Sequence, residues 1–162
     1  MRVLILSPFN PKYLQQYLDT IVEEDINISA NSVHGLVEGF IKRGIKVDIV
    51  TINYSVYNTN CYKGNNVNIS VVGGKQKFSY FNHAPFHCIL AYRIIKSMNK
   101  YIDYTDVILA NWSYEYSLAA MKYRLDKPVF SVVRDWAPYI FKSVRFYLKP
   151  FWLRRILLQL FI

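Results

Sequence analysis

The chain has 162 residues, enough for one domain with a sizeable core and too few for two roomy ones. Its residues are 52% apolar, 17% aromatic and 19% charged, which excludes a disordered or linker-like chain. The net charge of +9 is uneven: residues 139–162 carry five basic side chains and no acid, whereas residues 1–138 hold 15 basic and 11 acidic ones.

The first apolar run, Val3-Leu4-Ile5-Leu6, reads as a strand buried on both faces. Pro8 and Pro11 break it too early for a secretory signal. Over residues 30–43, Val33, Leu36, Val37, Phe40 and Ile41 recur at the spacing of a one-faced helix, and Gly44 is a natural stop. Residues 47–52 read as a second strand, 53–66 as an Asn- and Tyr-rich loop, and 67–72 as a third strand ended by Gly73 and Gly74. A helix is expected over 85–101, with Phe86, Ile89, Leu90, Ile94 and Met98 inward. Residues 107–110 form a fourth strand, and about 113–124 a helix with Tyr116, Ala119, Ala120 and Tyr123 on one face. Pro128 breaks that helix, and 129–133 follow as a fifth, buried strand. Strands alternating with helices predict an α/β fold: a Rossmann-like open, mostly parallel sheet with helices on both faces.

In such sheets ligands bind beyond the carboxyl ends of the strands. That rule selects the segment from Ser7 to Ser32, the loop from Asn53, Gly73-Gly74, Asn111 to Glu115, and Arg134 to Pro138. Ser113 suits a helix N-cap and Glu115 the positive end of the dipole, and the same position at a strand end suits contact with a ligand. Trp112 offers a flat ring that stacks on a sugar or packs in the core. Arg134 and Asp135, adjacent charges after a strand, either pair locally or serve as an anion contact and a general base. His34 flanks the buried face of its helix as a boundary residue. His83 and His87 are four apart, but Pro85 is expected to start the helix and leave His83 outside, so no metal site is expected. Glycine-rich dinucleotide, Walker and nucleophile-elbow motifs are absent. Two cysteines, Cys61 and Cys88, point to a reducing compartment without a disulfide framework.

Four features in order resemble the N-terminal half of GT-B fold glycosyltransferases, family 4 in particular. They are the opening strand from Arg2 to Ser7, the Lys42-Arg43-Gly44 turn before a strand through Thr51, the run from Thr105 to Trp112 before a small-residue helix, and the run from Lys127 to Val133 ending in a charged pair. The resemblance covers residues 1–138 and implies half of a GT-B architecture. Two departures stand out: residues 8–28 replace a Gly-Gly turn after the first strand, and Arg134 occupies the place of a frequent histidine. The only glutamates are Glu23, Glu24, Glu38 and Glu115, so the glutamate pair of the family's donor domain has no counterpart, and a donor-binding domain is expected in trans.

The resemblance thus implies the acceptor side of sugar transfer from a nucleotide sugar to a lipid-linked or surface polysaccharide acceptor, inactive as this chain alone and requiring no metal or other cofactor. Acceptor contacts are expected from Asn31, Ser32, Asn111, Trp112, Glu115 and Arg134, with Asp135 as base. The alternatives are a non-catalytic membrane-anchoring subunit that recruits a catalytic chain, and an unrelated Rossmann-like binding module.

Residues 139–162 form the second expected unit, a basic amphipathic helical segment. Lys142, Arg145 and Lys149 share one helical face, and Trp152, Arg154 and Arg155 continue the pattern past Pro150. An anionic membrane surface fits this segment better than nucleic acid, which places the chain in the cytoplasm, peripheral at the inner face of the cell membrane. Its longest uncharged apolar stretch, residues 156–162, is far short of the roughly twenty residues of a spanning helix.

Overall fold

The computed structural model describes residues 1–23, 26, 31–75, 83–112 and 114–132, together with 142, 153, 156, 157 and 160. The side chains of residues 31 and 83–86 lie outside that description. In chain order the elements are β1 (Arg2–Leu6), a 3-10 helix (Pro11–Tyr17), α1 (Asn31–Lys42), β2 (Lys46–Asn53), β3 (Asn60–Lys63) and β4 (Val67–Gly73). They continue with α2 (His83–Met98), a 3-10 turn (Ile102–Tyr104), β5 (Val107–Asn111), α3 (Glu115–Met121) and β6 (Val129–Val132).

The strands form one six-stranded sheet in the order β3-β4-β2-β1-β5-β6. All neighbours are parallel except β3, which runs antiparallel to β4 at one edge. The fold is therefore α/β and Rossmann-like, as the alternation predicts. Helices cover both faces because side chains of a strand alternate. Val3 and Ile5 of β1 face one side, where Val33, Val37 and Ile41 of α1 pack. Leu4 and Leu6 face the other, under Leu90, Ile94 and Met98 of α2 and Tyr116, Ala119 and Ala120 of α3. At Gly44 the backbone turns with φ +72°, which closes α1 and returns the chain into β2.

Several local expectations change. The segment 53–66 is not all loop: Asn60–Lys63 turns back to pair antiparallel with β4 as a largely exposed edge strand. His83 is the first residue of α2 rather than outside it. Proline is tolerated in a first turn, where the N–H groups have no intrahelical acceptor in any case. The helix also stops at Met98, three residues early. Ile89 is exposed, and Ala91 joins Leu90, Ile94 and Met98 on the buried face instead. Leu36 is likewise at the exposed border of α1. Residue 129 is half-buried and Phe130, Ser131 and Val132 are exposed, so β6, the last strand of the sheet among the described residues, is not a buried strand. Position in the sheet order, which local pattern does not reveal, decides this burial.

At the amino-terminal end of the sheet a charge is buried. Asp48 is inaccessible on β2, bound by two guanidinium nitrogens of Arg2 and by Asn68 Nδ2 at 2.7 Å. The carboxylate hydrogen bond raises the Arg2 pKa further against the opposing effect of burial.

Candidate functional site

β1 leads to β2 on one side and β5 to β6 on the other, so strand order reverses between β1 and β5. A crevice at this reversal is the usual ligand position in open α/β sheets. At this reversal a side-chain bridge links the ends of β1 and β5. Asn111, the last residue of β5, donates from Nδ2 to Ser7 Oγ at 3.0 Å, and Ser7 Oγ donates to the Pro8 carbonyl at 3.1 Å. Both side chains are buried. The loop after β1 is tied down by the Phe9 N–H, which donates to Thr51 Oγ1 at 2.9 Å.

Trp112 follows directly, with φ at +101°. A bulky residue rarely adopts this conformation, and such strain clusters at functional sites. It is held from both sides: its N–H donates to the Val132 carbonyl at 3.2 Å, and its carbonyl accepts from Ser117 Oγ at 2.8 Å. Ser117 Oγ also meets Ser131 Oγ, which ties the loop to β6. The indole is half-buried against the core under α2 and α3.

Beside this loop lies a polar triad around a buried carboxylate. Glu115 opens α3 and is only 3% exposed. His87 Nδ1 lies 2.6 Å from Glu115 Oε2, and Tyr54 OH donates to Oε1 at 2.8 Å. Burial alone would push the Glu115 carboxyl up. The hydrogen bond and charge of His87, its own backbone N–H and the Tyr54 hydroxyl outweigh that and hold it below its ordinary value. An ionised carboxylate only accepts, so Nδ1 carries the proton in this contact. The triad joins three separate segments, the loop after β2, α2 and α3. Nearby, the Ile52 N–H donates to Tyr116 OH at 3.1 Å, and burial pushes that phenol's pKa up.

The structure thus brings Asn111, Trp112 and Glu115 together at one end of the sheet. Ser113 lies outside the described residues, and the residue preceding α3 is Tyr114, with no side-chain cap. Asn31 is the first residue of α1, and Ser32 beside it is exposed. Arg134 and Asp135 lie outside the described residues, as do Arg145, Lys149, Trp152, Arg154 and Arg155. Lys142 is helical and exposed. Leu153, Leu157 and Leu160, also helical, are 50%, 50% and 72% exposed. His34 sits at the boundary as expected, stacked on Tyr13 with ring centroids 3.9 Å apart, and partial burial lowers its pKa.

The pairing of His87 and Tyr54 with Glu115 does not follow from sequence spacing, since the three are separated by 28 and 61 residues. One signal was available: Glu115 is the only acid between Asp106 and Asp126, within a helix otherwise apolar or small. A lone carboxylate there needs a partner. No group of three or more histidine, cysteine, aspartate or glutamate side chains arranged to hold a metal occurs among the described residues. No protein-family model matches the chain, and no curated protein is significantly similar to it.

Proposed function

We propose that the chain is the acceptor-binding half of a GT-B type glycosyltransferase. It holds a saccharide or lipid-linked acceptor at the cytoplasmic face of the membrane, while a donor-binding domain presents the nucleotide sugar. The observation that carries this reading is the strained Trp112 at the strand reversal, set between the Asn111–Ser7 bridge and the Glu115 triad. A flat indole beside oriented polar groups suits a polyol: sugar rings stack on the indole, and hydroxyls bond to the polar groups around it.

In this reading Asn31 and Ser32 open α1 toward the same end of the sheet, since α1 follows β1. An acceptor hydroxyl attacks the anomeric carbon of the donor, its C–O bond to the nucleotide phosphate breaks, and the nucleotide leaves with that electron pair. Asp135 takes the hydroxyl proton, and Arg134 contacts an anionic group. A second reading, a non-catalytic membrane-anchoring subunit, draws on the exposed leucines 153, 157 and 160 in the basic C-terminal segment. No helix among the described residues is long and apolar enough to cross a membrane.

Saturation-transfer NMR tests the proposal with the isolated chain against mono- and disaccharides and short-chain polyprenyl-phosphate sugars. At least one saccharide is expected to receive saturation from the wild-type chain. Trp112→Ala should abolish it while the far-ultraviolet circular dichroism stays unchanged. Absence of transfer to every saccharide overturns the acceptor reading.

A further inference from the structure

We propose that a second site, on the outer flank of α2, binds the phosphate or diphosphate group of a ligand. It goes beyond the acceptor reading and does not depend on it. A groove of about 420 Å³ runs between the second half of α2 and the segment leading into β3. Arg93, Lys96 and Lys100 line one wall, and Tyr57 and Thr59 the other. No acidic side chain is among its described lining residues.

The three cations fall at i, i+3 and i+7 of the helical register and so share one stripe of α2 and the turn after it. A basic stripe alone is an ordinary solvated surface. What distinguishes this one is Ser97. It lies between the basic stripe and the buried face, lines the same groove, and is only 5% exposed. Its Oγ is the one buried side-chain polar atom among the described residues that has no hydrogen-bond partner. Leaving a hydroxyl buried and unpaired is costly, and such an atom in a native structure calls for an explanation, a bound ion or water at the groove being one.

The groove is also built rather than incidental. The chain at Tyr57 and Asn58 crosses so close to the end of β4 that a Cβ on Gly73 would meet the Tyr57 carbonyl oxygen at 2.1 Å. Only glycine permits that crossing. Arg93 Nη1 donates to the Gly73 carbonyl at 2.6 Å, which fixes the guanidinium across the mouth of the groove with further N–H groups to offer. Lys100 Nζ donates to Cys61 Sγ at 3.4 Å, a weak acceptor that a phosphate oxygen readily displaces. The ammonium of Lys75 lies 5.2 Å from the Tyr57 ring centroid and adds positive potential nearby. Several cations with one buried hydroxyl donor and no carboxylate match a multiply charged oxyanion, not a neutral sugar or a metal.

Isothermal titration of the full chain tests this, with inorganic pyrophosphate and monomeric dihexanoyl phosphatidate as probes. At least one should bind, weakening as salt rises. Lys96→Ala with Lys100→Ala should weaken binding about tenfold or more, since both lysines are exposed and neither supports the fold. Ser97→Ala should weaken it about three- to tenfold while leaving the melting temperature unchanged or higher, because an unpaired buried hydroxyl is removed. The probe with the lower Kd identifies a soluble phosphate or a lipid headgroup as the source. Failure of both probes to bind overturns the proposal. So does binding lost with the lysines but indifferent to Ser97→Ala, which would be diffuse attraction to a basic surface.

Discussion

Glu115 is a carboxylate almost without access to water, and two neighbours from distant segments make that tolerable. Its removal would leave His87 Nδ1 and Tyr54 OH without their acceptor. Glu115→Ala is therefore expected to destabilise the fold by about 1–3 kcal/mol, the range for leaving buried hydrogen-bonding groups unsatisfied, as read by urea unfolding. The pH dependence has a definite sign. The folded carboxyl lies below its ordinary value of 4.5, so its contribution to stability is complete above that pH. It is lost as pH falls from 4.5 through the depressed folded value, where the native state must take up the proton. Acid unfolding of Glu115→Gln should lack that component; an identical acid profile would refute the ionised triad. At the other end of the sheet, Asp48 depends on Arg2 in the same way. Arg2→Met should cost about 3 kcal/mol and Arg2→Lys less, measured by the same unfolding curves.

Among the elements, α2 carries three different tasks on two faces. Leu90, Ala91, Ile94 and Met98 bury it against the sheet. His87, near its start, reaches α3, while Arg93 and Lys96 face the groove beside β4. The edge strands differ in kind. β3 is guarded by polar and charged residues, but β6 presents Phe130 and Val132 to solvent, 61% and 40% exposed. An apolar edge of this type is a template for pairing unless covered. The C-terminal segment adds exposed leucines at 153, 157 and 160 to five basic residues. Cutting the chain after Pro138 is expected to abolish cosedimentation with anionic vesicles and raise solubility. High salt should weaken the binding of the intact chain, because screening shortens the reach of its charges. Vesicle binding unaffected by the cut would show that the anchor lies elsewhere.

For the molecule as a whole, the sheet order places the Asn111–Ser7 bridge where the chain's winding reverses. The proposed function divides donor and acceptor between two domains, and sugar transfer depends on holding both reactants in register. The 162-residue chain is therefore expected to turn over no nucleotide sugar on its own in a radiolabel transfer assay. Product above the blank would contradict the half-enzyme reading while leaving saccharide binding and the phosphate groove to their own tests.

Local patterning was sufficient for the layered α/β fold. Continuous apolar runs such as Val3 to Leu6 need cover on both sides, and the stripes on α1 and α3 supply it, a match of periods that requires no knowledge of the partner. The strand-end rule selects Asn111, Trp112 and Glu115 as candidates from the same pattern. Three matters belonged to the tertiary structure. Sheet order left β6 exposed among the described residues and made β3 a strand, since burial depends on which neighbours a strand has. Long-range packing joined His87 and Tyr54 to Glu115, a pairing invisible to any short window. Close backbone crossing at Gly73 built the groove beside α2 and left Ser97 buried without a partner, because the space around a hydroxyl is set by what folds against it and not by its place along the chain.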